Sequence, residues 1–445
     1  MGRPFVDNTW QRARIIPVVG TGQGSEREQR ATSALLAVLS VVRPLSAELL
    51  NGLGAPRAAA AVVEAYIEPP FKNDLGKEVR PDGLLRVTYG SQKSWVALVE
   101  VKTGSNELDA VQLNSYIDLA RREKYDYVLT VSNEIAPSEG VHPTAGLKVR
   151  KGSVVQVAHF SWTKIATVAA RVRDRSAVED KEQAWILDEI LRYLEHASSG
   201  AMEFDDMGPN WVDVRDGARN STLKRSDENV ADIARRWDQL LHYSAMKLSS
   251  QIHEDVREVI KGAERGDAGL RAKNFAKELC ETGTLSGELR VPRTVGDMRL
   301  HIDLRARTLA ISTEIKAPED KKAKGSITWL TRQLAESPGT LVIDSYPKNA
   351  RYGIPATLAE LREDSTDVAK QLPGDVAKFV VTMRGELGQG RKTGKTPGFV
   401  DSVHLSVSKY YATVLQRLTP YQVKAPQVSP REVQEPETEL GSVTE

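Results

Sequence analysis

The sequence predicts an α/β protein, with an N-terminal αββαβ core and a C-terminal α/β domain. Three observations carry this. Residues 81–102 read as a β-hairpin whose second strand is apolar. Helix and strand patterns then alternate to about residue 175. A second alternation follows a stretch of turn formers over 197–226.

Taken in order, Ile15–Val19 is a short apolar run that leads into Gly20-Thr-Gly-Gln-Gly24. A glycine-rich turn ahead of a helix can hold an anion. This one lacks the spacing and the lysine of a P-loop and is not G-x-G-x-x-G, so it reads as a helix entry. Ser25-Glu-Arg-Glu28 forms a capping box, which predicts a helix from Glu26 to about Val42. Leu35, Leu36, Val38, Leu39 and Val42 make its buried face. A second helix is expected over Ala58–Tyr66, ended by Pro69-Pro70.

Leu84–Tyr89 and Trp95–Lys102 are the hairpin strands, with Gly90–Ser94 as the loop. Leu108–Lys124 is an amphipathic helix and Tyr125–Ser132 a strand. Strand, helix, strand implies a right-handed parallel crossover. Val154–Phe160 is a further strand, and a helix runs from Trp162 to about Arg173. These elements define a first domain over residues 1–175. Glu182–His196 is a helix with Trp185, Ile186, Ile190, Leu191 and Leu194 as its stripe. It forms, with the turn-rich 197–226, a connecting segment over 176–226.

The C-terminal α/β domain spans 227–420. Glu228–Ile260 is a long helical pattern carrying His242 and His253. Arg271–Leu279 is helical, Gly287–Pro292 a strand, and Met298–Leu304 with Thr308–Lys316 a hairpin. A helix over Ile327–Glu336, a strand over Thr340–Ser345, and a final strand and helix within Phe399–Gln416 follow. Lys321-Lys322-Ala-Lys324-Gly325 and Arg391-Lys392-Thr-Gly-Lys395 are basic loops of a kind that can track phosphates. Residues 421–445 are rich in Pro, Glu and Gln and read as a disordered tail.

Composition narrows the class. At 445 residues, two or three domains are expected. The net charge of +1 means that any nucleic-acid contact rests on local patches. Cys280 is the only cysteine, which excludes an internal disulfide or a cysteine-rich zinc site. With no signal-peptide pattern at the start and no apolar run near 18 residues, a cytoplasmic location and no membrane contact are expected.

The chemistry concentrates in the first hairpin. With Gly90–Ser94 as the loop, paired residues sum to about 184, so Asp82 lies opposite Lys102 and diagonal to Glu100. All three share one sheet face, with the two carboxylates' backbones roughly 7–8 Å apart. They cap an otherwise apolar strand, where charge is costly unless paired or metal-bound. Two carboxylates and the Val101 carbonyl make a hard-oxygen site that suits Mg²⁺. A lysine two residues on can orient a water and stabilise charge on a phosphate. The implied reaction is metal-assisted phosphodiester hydrolysis.

Pro81-Asp82, seventeen residues, then Glu100-Val101-Lys102 resembles the PD-(D/E)xK nuclease superfamily, with its restriction-endonuclease-like fold. Gln112-Leu-Asn-Ser-Tyr116 on the next helix resembles the Q-x-x-x-Y motif of the RecB-type branch, and its i,i+4 spacing puts Gln112 and Tyr116 on one helix face. The resemblance implies Asp82 and Glu100 as metal ligands, Lys102 as the catalytic lysine, and Gln112 and Tyr116 as contacts to nucleic acid. It also implies a glutamate from the first helix. Glu28 is the candidate, capping being its other reading, with Glu64 and Glu68 behind it. The cofactor implied is Mg²⁺, with Mn²⁺ as substitute. The implied function is a nuclease, on DNA first, in defence or repair.

The rival is a catalytically inactive nuclease fold kept as a nucleic-acid-binding or stress-related scaffold. The C-terminal domain reads as a specificity or interaction module, for a protein partner or a second copy of the chain. There, Asp303 and Glu314-Ile315-Lys316 repeat the D…ExK form, but a pairing sum near 613 puts Asp303 beside the turn, away from Glu314.

Overall fold

The structure is a computed structural model of the chain. It describes residues 6–7, 9–16, 26–56, 61–72, 76–90, 93–104, 106–136, 142–144, 146–149, 152–174, 180–196, 199–201, 204–265, 267–388 and 397–422. The fold is mixed α/β. The chain forms two compact units, Met1–Thr313 with Thr382–Gln416, and Glu314–Val381 with Arg417–Glu445.

The first unit opens with α1 (Glu26–Val41) and α2 (Arg43–Leu50), then β1 (Val62–Ile67) and a small pair, β2 (Phe71–Lys72) and β3 (Glu78–Val79). The hairpin follows as β4 (Gly83–Tyr89) and β5 (Lys93–Val101). Next come α3 (Ala110–Glu123), β6 (Tyr127–Ser132), β7 (Gln156–Ser161), α4 (Trp162–Asp174) and α5 (Lys181–Glu195). The sheet order is β1-β4-β5-β6-β7. Its first three strands are antiparallel and its last three parallel.

Side chains alternate between two apolar layers, as the period of 2 requires. Leu85, Val87, Ala97, Val99, Val101 and Leu129 pack with α1, α2, α4 and α5. Leu84, Val96, Leu98 and Val128 pack against α3 residues such as Leu113 and Ile117. Burial on both faces explains why Trp95–Val99 is continuously apolar.

Two expectations here are corrected. Residues 62–66, expected as part of a helix, belong to a strand, paired from Val62↔Thr88 to Ile67↔Gly83. Val62, Val63, Tyr66 and Ile67 favour a pleated surface, and β4 offers the partner. The turn of the hairpin is shorter than expected: Tyr89 pairs with Lys93, so partners sum to 182.

The unit continues with α6 (Trp211–Arg219), α7 (Glu228–Ile252), β8 (Arg257–Glu258), α8 (Ala268–Thr282), β9 (Thr284–Arg290), β10 (Met298–Asp303) and β11 (Thr308–Lys316) as far as Thr313. The α6 helix interrupts the expected connection. α7 stops eight residues before the expected end, because His253 turns left-handed at φ 57°. The β10–β11 pairing sums to 611, as in Asp303↔Thr308. Asp303 Oδ1 accepts from the N–H groups of Arg305 and Ala306 and caps the turn.

The second unit holds the end of β11 from Glu314, α9 (Ala323–Gln333), β12 (Val342–Pro347), β13 (Ile354–Thr357), α10 (Leu358–Glu363), α11 (Ser365–Gln371) and β14 (Val376–Glu386) as far as Val381. Within it Lys378 Nζ pairs with Glu314 Oε2 at 2.8 Å, so the second D…ExK glutamate is engaged in a strand-to-strand ion pair. Back in the first unit, α12 (Phe399–Thr413) is helical from its first residue, where a strand was also expected. Ser25, Gly20–Gly24, Arg391–Lys395 and residues from 423 onward lie outside the described residues. Among the described residues, no single helix is long and apolar enough to cross a membrane.

Candidate active site

β5 lies between β4 and β6, so the acid that ends its apolar run is buried. Glu100 is 1% exposed. The corrected register puts Asp82 opposite Glu100, just before β4 begins. In place of a ladder bond, the Asp82 Oδ2 oxygen accepts the Val101 N–H at 2.7 Å. The Asp82 carbonyl accepts the Glu68 N–H at 3.1 Å. Side chain and main chain of Asp82 are thus fixed by the flanking strands.

Lys102 continues β5 past its end. Its N–H donates to Val131 O at 2.7 Å, and its carbonyl accepts Trp162 Nε1–H at 2.9 Å. Its ammonium donates to Glu100 Oε1 at 2.6 Å and to Glu28 Oε1 at 3.1 Å. Glu28 therefore reaches the cluster from α1. Its Oε2 accepts Asn106 Nδ2 at 3.0 Å and the Thr103 N–H at 3.4 Å. The structure brings Asp82, Glu100, Lys102 and Glu28 together.

Electrostatics follow from burial. Desolvation pushes the Asp82 carboxyl well above its ordinary range; the Glu100 charge adds to this, and Lys102 opposes it. Desolvation also raises Glu100, only partly offset by the Lys102 charge and hydrogen bond. Burial pulls the Lys102 ammonium down, but the charges of Glu100, Asp82 and Glu28 outweigh this and hold it above its usual value. Lys102 therefore stays charged at neutral pH.

Glu100 Oε2 is buried and lacks a hydrogen bond of good geometry, although the Tyr116 hydroxyl stands beside the carboxylate and interacts with it. A buried carboxylate oxygen without such a bond is costly. A cation is the natural occupant of that position. Among the described residues no group of three or more His, Cys, Asp or Glu stands ready to hold a metal. Mg²⁺ needs only one or two protein carboxylates, with waters and phosphate completing its shell. Asp82 and Glu100 fit that requirement.

Gln112 and Tyr116 meet on α3, with Gln112 Nε2 donating to Tyr116 Oη at 2.9 Å. Tyr116 Oη donates in turn to Arg80 O at 3.3 Å. Burial and then the Glu100 charge raise the Tyr116 phenol, so it remains a neutral donor beside the cluster. Glu64 is elsewhere, paired with Arg12 and Arg86. Glu68, at φ 46°, accepts Gln29 Nε2 at 2.6 Å. Ser132 Oγ caps its own turn by accepting the Glu134 N–H at 3.0 Å. His242 pairs with Glu258 and His253 with Asp174.

The end of β6, where the sequence offers Ser132 and Asn133 either near the cleft or as caps, also shapes the site. Asn133 Nδ2 donates to Gly104 O at 2.9 Å and Gly200 O at 2.8 Å, clamping the loop after Lys102. The turn that carries Asn133 is itself held by a chain of bonds. The Thr144 N–H donates to His142 Nδ1, which leaves the proton on Nε2 to reach Thr130 Oγ1 at 2.8 Å. His159 Nε2 donates to Glu134 O at 2.8 Å, so its Nδ1 accepts from Thr130 Oγ1 at 2.9 Å. Burial keeps both rings neutral, His142 pushed down to about 4 and His159 to about 3. A cavity of about 800 Å³ runs along β7, lined by His142, His159, Phe160 and Arg171 among others. None of Asp82, Glu100 and Lys102 lines it.

Comparison with protein-family models, with curated proteins and with solved structures gives no match for this chain.

Proposed function

We propose that the chain is a metal-dependent nuclease that hydrolyses phosphodiester bonds of DNA at the Asp82–Glu100–Lys102 cluster. The observation that carries this is the buried Glu100 carboxylate, paired with the Lys102 ammonium, beside the half-buried carboxylate of Asp82 at the end of a central strand. The order helix, antiparallel hairpin, helix, parallel strand supports a restriction-endonuclease-like core of the PD-(D/E)xK, RecB-type kind.

Asp82 and Glu100 hold Mg²⁺ or Mn²⁺ in this reading. The bound ion would lower the pKa of a water and neutralise charge on the scissile phosphate. Lys102, charged and fixed by Glu28, stands to orient that water and to offset charge on the phosphate oxygens. Glu28 holds the ammonium in place through its other oxygen's bonds to Asn106 and Thr103. Gln112 and Tyr116 supply an amide and a neutral hydroxyl for the strand.

The test is cleavage of linear duplex, circular duplex, single-stranded DNA and RNA with Mg²⁺ or Mn²⁺, beside Lys102→Ala. Metal-dependent cleavage that falls by about 10²–10⁴-fold in the variant is expected, the scale of a lost positioned proton-handling group. Absence of cleavage in every lane, with no metal binding by calorimetry, would leave a binding module in its place.

A further inference from the structure

We infer that Arg27 forms a phosphate-binding subsite beside the hydrolytic centre, holding a backbone phosphate that flanks the scissile one. This rests on the nuclease reading and names how that site takes its strand.

Arg27 lies on α1, one residue before Glu28, and is exposed. Among the described residues it makes no hydrogen bond or ion pair. Arg30, on the same helix, is engaged with Glu26. Its stem is nonetheless seated. A methyl group at Gly200 would come within 2.7 Å of Arg27 Cδ and 2.8 Å of Thr103 Cβ. One at Gly104 would lie 3.8 Å from Arg27 Nη1. Both glycines have left-handed φ, +76° and +63°. Only glycine gives this seat its shape and its room.

The seat is rigid. The Gly104 N–H donates to Gly200 O at 2.8 Å, and Asn133 holds both carbonyls. The loop that carries this junction begins at Lys102, and Thr103 and Asn106 on it hold Glu28. The guanidinium is thus presented on the same loop and helix that position the catalytic lysine. In the nuclease reading the carboxylates of Asp82, Glu100 and Glu28 are balanced by Lys102 and the metal, and a backbone phosphate that flanks the scissile one brings a negative charge of its own. A preorganised guanidinium beside that cluster offsets it and grips a phosphate with two parallel donors.

The experiment uses the full chain. Binding of fluorescein-labelled single-stranded DNA is followed by anisotropy in EDTA, from 50 to 200 mM salt. Cleavage with Mg²⁺ is measured in parallel. Arg27→Ala is expected to weaken binding by about tenfold and to flatten the log–log salt slope by about 0.7, the value for one phosphate on a single strand. KM should rise more than kcat falls. Arg27→Lys should keep the slope while recovering only part of the affinity. If the wild type cleaves, yet Arg27→Ala binds with unchanged affinity and slope, the subsite is overturned and the nuclease reading stands. If the wild type neither binds nor cleaves, both fall.

Discussion

Asp82 bears a carboxylate where the protein alone makes ionisation costly. Its folded pKa is raised, first by burial and then by Glu100. The folded state therefore binds more protons than the unfolded chain. The stability this group contributes is fully present below its ordinary carboxyl range and is lost as pH rises through the raised folded value. Asp82→Asn keeps an oxygen for the Val101 N–H and removes the charge. Without divalent metal it should raise stability at neutral pH and flatten the decline from pH 5 to 8, while abolishing cleavage. Urea melts in EDTA across that range check this; a variant less stable at every pH would show that Asp82 is a structural ion. The residue was legible because an acid in register with the end of an apolar strand has few bland explanations. The loop was misjudged by two residues, yet the face survived, because a shift of two preserves the pleat and a shift of one would not. Glu28 was legible only as one of two readings, since helix capping and site contact use the same residue. Asn133 and Gly200 meet across 67 residues. No local spacing encodes that junction.

At the scale of elements, what sequence pattern hides is what distant partners decide. β1 is short and helix-tolerant, and β4 makes it a strand. α6 lies among turn formers because Trp211 finds its partner in Phe399, with ring centroids 4.2 Å apart. β14 is different: its Val380-Val381-Thr382 run is itself a strand signal, legible in the sequence. A second consequence concerns α7, α8 and β8, which are tied by one arginine. Arg271 Nε meets Asp238 Oδ1 at 2.8 Å, and its Nη2 meets Glu258 Oε2 at 2.6 Å. All three side chains are at most 5% exposed. Arg271→Ala leaves two buried carboxylates facing each other and should cost about 3–5 kcal/mol. Replacing Arg271, Asp238 and Glu258 together by apolar residues of similar volume should recover most of it. Denaturant melts of the single and triple variants decide this; equal losses in both would mean that packing, and not charge, is what the arginine supplies.

For the whole molecule, a net charge of +1 gives no general attraction to polyanions. In the nuclease reading, binding then turns on local charges such as those around β5, and metal links it to stability. A cation that binds the folded chain stabilises it by mass action, about 2.7 kcal/mol at a concentration one hundred times Kd. Because Asp82 and Glu100 are raised by burial, they must release protons to take the metal, so affinity should climb as pH rises through their folded range. This slope opposes that of the metal-free protein. Thermal melts with and without Mn²⁺ should therefore give curves that diverge from pH 5 toward pH 8, with the metal-dependent gain in Tm largest at the alkaline end. Asp82→Asn should remove most of the gain, and Lys102→Ala should keep it. If Mn²⁺ shifts Tm equally at all pH values, or equally in Asp82→Asn, the ion is binding at some other place, and the buried Glu100 oxygen is a cost that the fold carries without a cation.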